Sequence, residues 1–482
     1  MSQDILLEDA MFYMTINGDT IKGEQQMGVV NPAYDRIFAQ APNCTKQELD
    51  LAISAAKTSF SQWSQKPISE RRVLIKTFAS KIIEQVEPLA ILLTMEQGKI
   101  LSEAREEILG GAAWLEKTAN IELPQLVSED SETRHATTIY EPIGVVAGIV
   151  PWNYPVMLAM FKVGPALLAG NTMILKPSPT TPLTTLKIGE IANEVFPKGV
   201  LNVVSGDDRL GPWLTEHEGI DKISFTGSTP TGKKIMEGAA PTLKKLTLEL
   251  GGNDASIVMP GVPIEALAEG LFWAAFTNAG QVCIATKRLY VHSDIYEPLK
   301  NAISKYAKTV RIGDGLQEDT QIGPLQNLAQ YDRVKALIAK SKESGLKFIV
   351  GGEVPKNEGF HINVCILDNP PKTAPIVCEE QFGPILPMIK FTEIEEVIQL
   401  VNDSDFGLGA MIWSMDFAEA QYIASQLDVG TVWINEGQHI SPTASFGGHK
   451  QSGIGSEGAL QGLLQYTKAK TIFTGTALGP RN

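Results

Sequence analysis

The segment from Phe276 to Arg288 reads FTNAGQVCIATKR and sets a single thiol, Cys283, in small and uncharged company. Thiolate is the nucleophilic form, and an unassisted thiol with a pKa near ~8.5 is only a few per cent ionised at neutral pH. Cys283 therefore needs a base or a helix-end field close by. A carboxylate is available 34 residues earlier, at Glu249 in LTLELGGNDA. A third stretch, IVPWNYPV, carries the side-chain amide of Asn153, a group able to stabilise an oxyanion. Thiol, carboxylate and amide together describe acyl chemistry through a covalent intermediate. Taken singly, each has a blander reading. A cysteine among apolar neighbours is filling, a glutamate at a strand end is a solvated charge, and an asparagine between aromatics is a turn residue.

These groups need elements to position them. From Pro142 to Phe161 run twenty residues without a charge, long enough to span a bilayer. Pro151 and Pro155 would break a helix twice at its centre, so strand, turn, then helix is expected, with Asn153 on the turn. Further apolar strands follow in NTMILKPS, GVLNVVSG and DKISFTGS, most of them separated by a helix-length segment. That alternation builds a parallel sheet, whose ligands bind beyond the C-terminal strand ends, where Lys176, Gly206 and Gly227 fall.

The turn FTGSTPTGKKI supports two readings. Gly227, Gly232 and Lys233 match most of a phosphate-binding P-loop, but Lys234 stands where that loop needs a hydroxyl for magnesium. It also lacks GxGxxG. What survives is a glycine turn leading into a helix N-terminus, which approaches an anionic group closely.

The second α/β region runs from about Gly251 to Gly448 and holds the Cys283 segment, a helical stretch at Ile303 to Val310, and strands near LKFIVGG and in CEEQFGPILPMIKF. Glu379 and Glu380 precede an apolar strand; a carboxylate there is either a ribose-diol ligand or half of a solvated acidic pair. GTVWIN reads as a buried strand and FGGHKQSGIG as a loop. YTKAKTIFTG reads as a terminal strand able to pair with a β-ribbon expected over residues 121–141, or with a partner's sheet. Upstream, turns around Asn31 and Pro32 precede helices from Lys46 to about Asn120, and Gly98 stops one of them.

At 482 residues the chain should split into two or three domains. Its 41 basic and 55 acidic residues give a formal charge of −14, which argues against nucleic acid or an anionic membrane as partner. Cys44, Cys283, Cys365 and Cys378 lie far apart, with no CxxC pair and no metal-site spacing. They read as reduced thiols of a cytoplasmic protein, and the acidic start MSQDILLEDAMFYM does not look like an export signal.

In PWNYP, FTGSTPTG, LELGG, GQVC, EEQFGP and FGGHKQSGIGSEG, at compatible spacings over nearly its full length, the chain resembles the NAD(P)-dependent aldehyde dehydrogenase superfamily. The resemblance implies an α/β fold of three parts: a Rossmann-like cofactor-binding domain (1–120 and 141–250), an α/β catalytic domain (251–450) and a small β bridging element for oligomerisation (121–140 and 465–482). Homodimers or homotetramers are expected. Cys283 then matches the family's nucleophile, Glu249 its general base, Asn153 its oxyanion donor and Glu457 a proton-relay carboxylate. Lys176 and Glu380 match cofactor-ribose positions, Phe382 one beside the nicotinamide-side ribose, Gly227 and Ser228 the pyrophosphate turn, and Ile149 and Trp152 the cofactor cleft. The implied activity is oxidation of an aldehyde to a carboxylic acid with NAD or NADP; Glu249 favours this acid-forming type over acyl transfer to coenzyme A.

Three positions depart from the pattern. Pro179 stands where NAD-preferring members often carry a Glu, which removes repulsion against a 2′-phosphate and leaves NADP or dual use open. Asn253 and Ser456 replace a common Lys and Arg. The positions matching the substrate tunnel, Tyr154, Leu158, Phe161, Val282, Ile284 and Ile440, are mainly apolar and point to uncharged aliphatic or aromatic aldehydes. A P-loop-like nucleotide-binding protein and a non-catalytic relative of the fold are the alternatives.

Overall fold

A computed structural model describes residues 11–356 and 358–475. The acidic stretch 1–10 and residues 476–482 of the expected bridging segment lie outside the described residues. The chain opens with β1 (Met14–Ile16), β2 (Asp19–Ile21) and a hairpin of β3 (Gln26–Asn31) and β4 (Arg36–Pro42). Four helices follow: α1 (Lys46–Gln65), α2 (Ile68–Glu84), α3 (Val86–Gln97) and α4 (Leu101–Thr118). Thr45 and Glu48 form a reciprocal capping box at the start of α1. Gly98, at φ 97°, ends α3 in the left-handed conformation.

After the ribbon strands β5 (Leu126–Asp130) and β6 (Arg134–Pro142), strands and helices alternate: β7 (Val145–Ile149), α5 (Pro155–Ala169), β8 (Thr172–Lys176), α6 (Leu183–Asn193), β9 (Leu201–Val203), α7 (Leu210–Glu216), β10 (Lys222–Thr226), α8 (Thr229–Ala239) and β11 (Lys245–Glu249). The remainder contains β12 (Ala255–Val258), α9 (Ile264–Phe276), β13 (Arg288–His292), α10 (Tyr296–Ala307), α11 (Leu328–Glu343), β14 (Phe348–Val350), β15 (Cys365–Asp368), α12 (Pro375–Cys378) and β16 (Ile385–Phe391). It continues through α13 (Ile394–Asn402), β17 (Phe406–Gly407), β18 (Gly409–Trp413), α14 (Phe417–Gln426), β19 (Thr431–Ile434), β20 (His449–Lys450), β21 (Gly453–Ile454), α15 (Ala459–Leu464) and β22 (Thr467–Gly475).

The first sheet has the order β2-β1-β9-β8-β7-β10-β11-β21. Its strands β7 to β11 are parallel, and their order 9-8-7-10-11 reverses direction between β7 and β10. Such a switch point leaves a crevice outside the strand ends, because the crossovers on either side run to opposite faces. The second sheet, β14-β15-β16-β13-β12-β18-β19, is parallel except for the edge strand β14. Five residues, 250–254, carry the chain from the C-terminal end of β11 to the N-terminal end of β12. The site residues fall at that junction. Each sheet has its own buried hydrophobic cluster. A third sheet, β22-β6-β5, pairs the terminal strand with the ribbon from Thr467 opposite Pro142 to Gly475 opposite Arg134.

Three local expectations need correction. The helix expected at Ile303 to Val310 is α10, Tyr296–Ala307; it starts earlier because Pro298 is tolerated in a first turn, where its missing N–H has no partner to lose. GTVWIN is an edge strand in which only Trp433 is buried. The stretch FGGHKQSGIG contains β20 and β21, and β21 closes the first sheet by pairing Gly453 with Glu249. No helix among the described residues is long and apolar enough to cross a membrane.

Candidate active site

Cys283 sits on an irregular turn between α9 and β13. Asn278, Ala279 and Gly280 all have positive φ, and this reverses the chain after α9 and brings Gln281 to Cys283 to the junction of the sheets. Gly280 is required there: a Cβ would lie 2.4 Å from the Gly383 carbonyl oxygen. The Gln281 carbonyl accepts from Asn153 Nδ2 at 2.9 Å, which ties the nucleophile turn to the turn after β7. Asn153 is fixed from its other side as well, since its own carbonyl accepts from Lys99 Nζ at 2.9 Å and from Asn278 Nδ2 at 3.1 Å.

Lys99 and Glu107 were not among the expected site residues. Both side chains are fully buried and form an ion pair at 2.5 Å. The second Glu107 oxygen accepts from the N–H groups of Val156 and Met157, in the first turn of α5 where Tyr154 offers no side-chain cap. A carboxylate satisfies free donors and complements the dipole there. The only sequence signal was a lysine directly after the helix-ending Gly98.

Two cavities share a wall at the switch point. The larger, about 940 Å³, is lined by Ile149, Trp152, Lys176, Pro179, Gly227 and Ser228, among others. The smaller, about 180 Å³, is lined by Trp152, Asn153, Leu158, Gly227, Ser228, Cys283, Glu380 and Phe382, among others. A separate cavity of about 520 Å³ beside α2, α3 and α6 contains none of the expected residues. Trp152 and Phe382 meet edge to face at 5.3 Å. Ser228 caps α8, its side chain accepting from the Thr231 N–H. Lys233, which a P-loop would aim at phosphate, donates to Gln451 Oε1 at 2.9 Å. Among the described residues Lys176 Nζ has one acceptor, the Pro177 carbonyl at 3.2 Å. Burial brings its pKa down to about 8, against the pull of Asp208 and Asp207.

Glu249 ends β11 opposite Thr226 of β10 and is 5% exposed. Among the described residues neither carboxylate oxygen has a hydrogen-bond partner. Burial pushes its pKa well above the usual carboxylate range and Glu457 adds to the rise, while Lys162 opposes it. Lys162, also missed at the sequence level, is fully buried and donates to Glu457 Oε1 and Thr226 Oγ1, each at 2.8 Å. It is the one charge in the otherwise apolar α5, and that was the available clue. The half-buried Cys283 thiol is pushed up to about 12, first by desolvation and further by Asp254, Glu380 and Glu249; Lys287 alone pulls it down.

Tyr154, Val282, Ile284 and Ile440 join Cys283 in an apolar cluster with Trp433 and Phe446. Leu158 lines the smaller cavity. Phe161 lines neither cavity: it is 2% exposed and stacks on Trp114 at 3.6 Å, because its position on α5 faces α4. Among the described residues no cluster of His, Cys, Asp and Glu is able to hold a metal ion.

Residues 20–472 match the model of the aldehyde dehydrogenase family. The chain is 40% identical over 469 residues to a Pseudomonas protein named "Probable aldehyde dehydrogenase", covering 97% of this chain and 96% of that one. It is similar in structure to betaine aldehyde dehydrogenase from Staphylococcus aureus in complex with NAD+, at TM-score 0.95 and 32% identity over 100% of this chain and 98% of the other. It is likewise similar to 3,6-anhydro-L-galactose dehydrogenase in complex with NADP, at TM-score 0.92 and 32% identity over 96% and 99% of the two chains.

Proposed function

The chain belongs to the aldehyde dehydrogenase family and is an NAD(P)-dependent aldehyde-oxidising enzyme, and on that premise we propose that it converts uncharged aliphatic or aromatic aldehydes to carboxylic acids through a covalent intermediate on Cys283. The observation that carries the reading is the shared wall: Cys283 and Asn153 line the smaller cavity, and Trp152, Gly227 and Ser228 join it to the cleft holding Lys176.

The residues of that cleft fit a dinucleotide. The capped N-terminus of α8 after Gly227 offers backbone donors to a pyrophosphate. Lys176 keeps ammonium protons free for ribose hydroxyls, and Glu380 lies across the smaller cavity as an acceptor for the second ribose. Pro179 puts no carboxylate against a 2′-phosphate, which supports use of NADP as well as NAD.

In the proposed reaction the Cys283 sulfur gives its proton to water, and its electron pair forms a bond to the aldehyde carbon as the carbonyl π electrons move to oxygen. The charge that develops on the carbonyl oxygen is met by the Asn153 amide and the Cys283 N–H, one such donor being worth ~2.7–4 kcal/mol. NAD or NADP, held by Lys176, Gly227, Ser228 and Glu380, would supply the hydride acceptor needed for the thioester to form. Glu249 takes a proton from water, the water oxygen attacks the thioester carbon, and the carbon–sulfur bond breaks to release the acid. Glu457, held by the Lys162 ammonium, receives the proton from Glu249.

The apolar cluster around Tyr154, Val282, Ile284 and Ile440 supports an uncharged substrate. We assign cofactor binding to residues 1–120 and 141–250, the thiol to 251–450, and bridging to 121–140 with 465–482. Exposed Leu126, Val127, Ile472 and Phe473 on the third sheet support assembly into homodimers or homotetramers. The four free cysteines fit a cytoplasmic enzyme.

The test is an aldehyde panel crossed with NAD and NADP, followed at the absorbance band of the reduced nicotinamide, with the product analysed in the presence and absence of coenzyme A. Acid formation from uncharged aldehydes without coenzyme A is expected. A coenzyme A requirement would overturn the acid-forming reading. Preference for charged aldehydes would overturn the substrate class.

A further inference from the structure

Lys287 lies four residues after Cys283 and is 2% exposed, yet it has no part in the reaction as described above. A lysine is almost never buried without partners, and the partners here concern the nucleophile. Its ammonium donates to the carbonyl of Val282 at 2.8 Å and to that of Cys283 at 2.6 Å. Glu380 Oε1 stands 3.6 Å away. The Lys287 N–H donates to the Asp254 carbonyl at 2.9 Å, and the Arg288 N–H does the same at 3.1 Å, so the nucleophile turn is closed onto the segment that links the two sheets.

Charged groups reach Cys283 from every element around it. Asp254 comes from the linking segment, Glu380 from the loop before β16, Glu249 from the end of β11 and Lys287 from its own turn. Asp254 is 2% exposed and its carboxylate makes no hydrogen bond of normal geometry. Burial brings its pKa up to about 7, with Lys287 and then the Gly409 N–H holding it down. Three acidic groups and Lys287 therefore act on a desolvated thiol, with Arg333 of α11 on the wall of the smaller cavity, and Lys287 is the cation fastened to the backbone of that thiol's own residue.

We propose that Lys287 is the positioning residue that makes Cys283 ionisable, holding the nucleophile's carbonyl and offsetting the carboxylates of Asp254 and Glu380. Ionisation breaks the S–H bond, leaves the electron pair on sulfur and gives the proton to water. Two carbonyl ties would also be satisfied by a neutral donor; the positive charge is what favours the thiolate against the surrounding carboxylates. The role rests on Cys283 being the nucleophile proposed above.

The experiment follows iodoacetamide alkylation of the free enzyme against pH, reading the Cys283 peptide by mass spectrometry so that the exposed Cys378 does not contribute. Lys287→Met is expected to move the alkylation midpoint to higher pH, and each full pH step in that direction slows the reaction at neutral pH about tenfold. Lys287→Arg keeps the charge and the midpoint. Asp254→Asn moves the midpoint the other way, to lower pH, as removal of an opposing carboxylate requires. If Lys287→Met does not fold, Lys287→Gln, which keeps a neutral donor for the two carbonyls, must show the same upward movement. An unmoved midpoint in folded Lys287→Met, or in Asp254→Asn, overturns the proposal. If alkylating Cys283 leaves aldehyde oxidation intact, it is instead the nucleophile assignment that fails.

Discussion

Glu249 and Cys283 are both held in their neutral forms by burial, but they are built in opposite ways. Glu249 ends a regular strand, its position fixed by pairing to β10 on one side and β21 on the other. Cys283 lies on a turn with positive-φ residues just before it, fixed by side-chain ties: Asn153 of the turn after β7 through the Gln281 carbonyl, and Lys287 of its own turn through the Cys283 carbonyl. The cation beside Glu249 is already committed to Glu457 and Thr226, so the carboxylate oxygens are left without partners. The cation beside Cys283 donates to the neutral carbonyls of Val282 and Cys283, and its field acts on the thiol as well as on Asp254 and Glu380. A base that must take a proton from water gains from being desolvated and unpaired. A thiol that must give up its proton gains from a cation instead.

Three substitutions set this comparison against measurement. The largest effect is expected from Cys283→Ala, which should abolish aldehyde oxidation while cofactor binding, read by nicotinamide fluorescence, persists. Oxidation at the normal rate would place the nucleophile elsewhere. Next, Glu249→Gln is expected to lower steady-state turnover by about 10²–10⁴-fold while leaving an initial burst of reduced cofactor, since the base acts after hydride has left. Loss of the burst along with turnover would mean that Glu249 also serves the thiol. The smallest effect is expected from Glu457→Gln. This removes a charge that raises Glu249 and leaves Lys162 to lower it, so Glu249 ionises at lower pH. The rising limb of the pH–turnover profile should move toward acid; a move toward alkali would show that Glu457 is not a charged neighbour of the base.

Much of the frame was legible from local signals. The parallel strands, the glycine turn at Gly227, the helix stop at Gly98 and the pairing of the terminal strand with the ribbon are encoded by apolar runs and by residues with restricted or permissive backbones. The helix at α10 was displaced because a proline in its first turn looks like a break. The tunnel position of Phe161 is implied by the resemblance alone; in the structure its ring stacks on Trp114 of α4. The short strands β20 and β21 carried no periodic signal because each is two residues long.

The sequence by itself determined the reacting groups and the turns that carry them, since the chemistry of a thiol, a carboxylate or an amide belongs to the residue, and a glycine turn is a property of a few neighbouring bonds. Only the tertiary structure decided which cations reach them. Lys162 meets Glu457 across 295 positions of sequence and Lys99 meets the Asn153 carbonyl across 54. The field at a buried group depends on distance and desolvation, and both are set by how the two sheets meet.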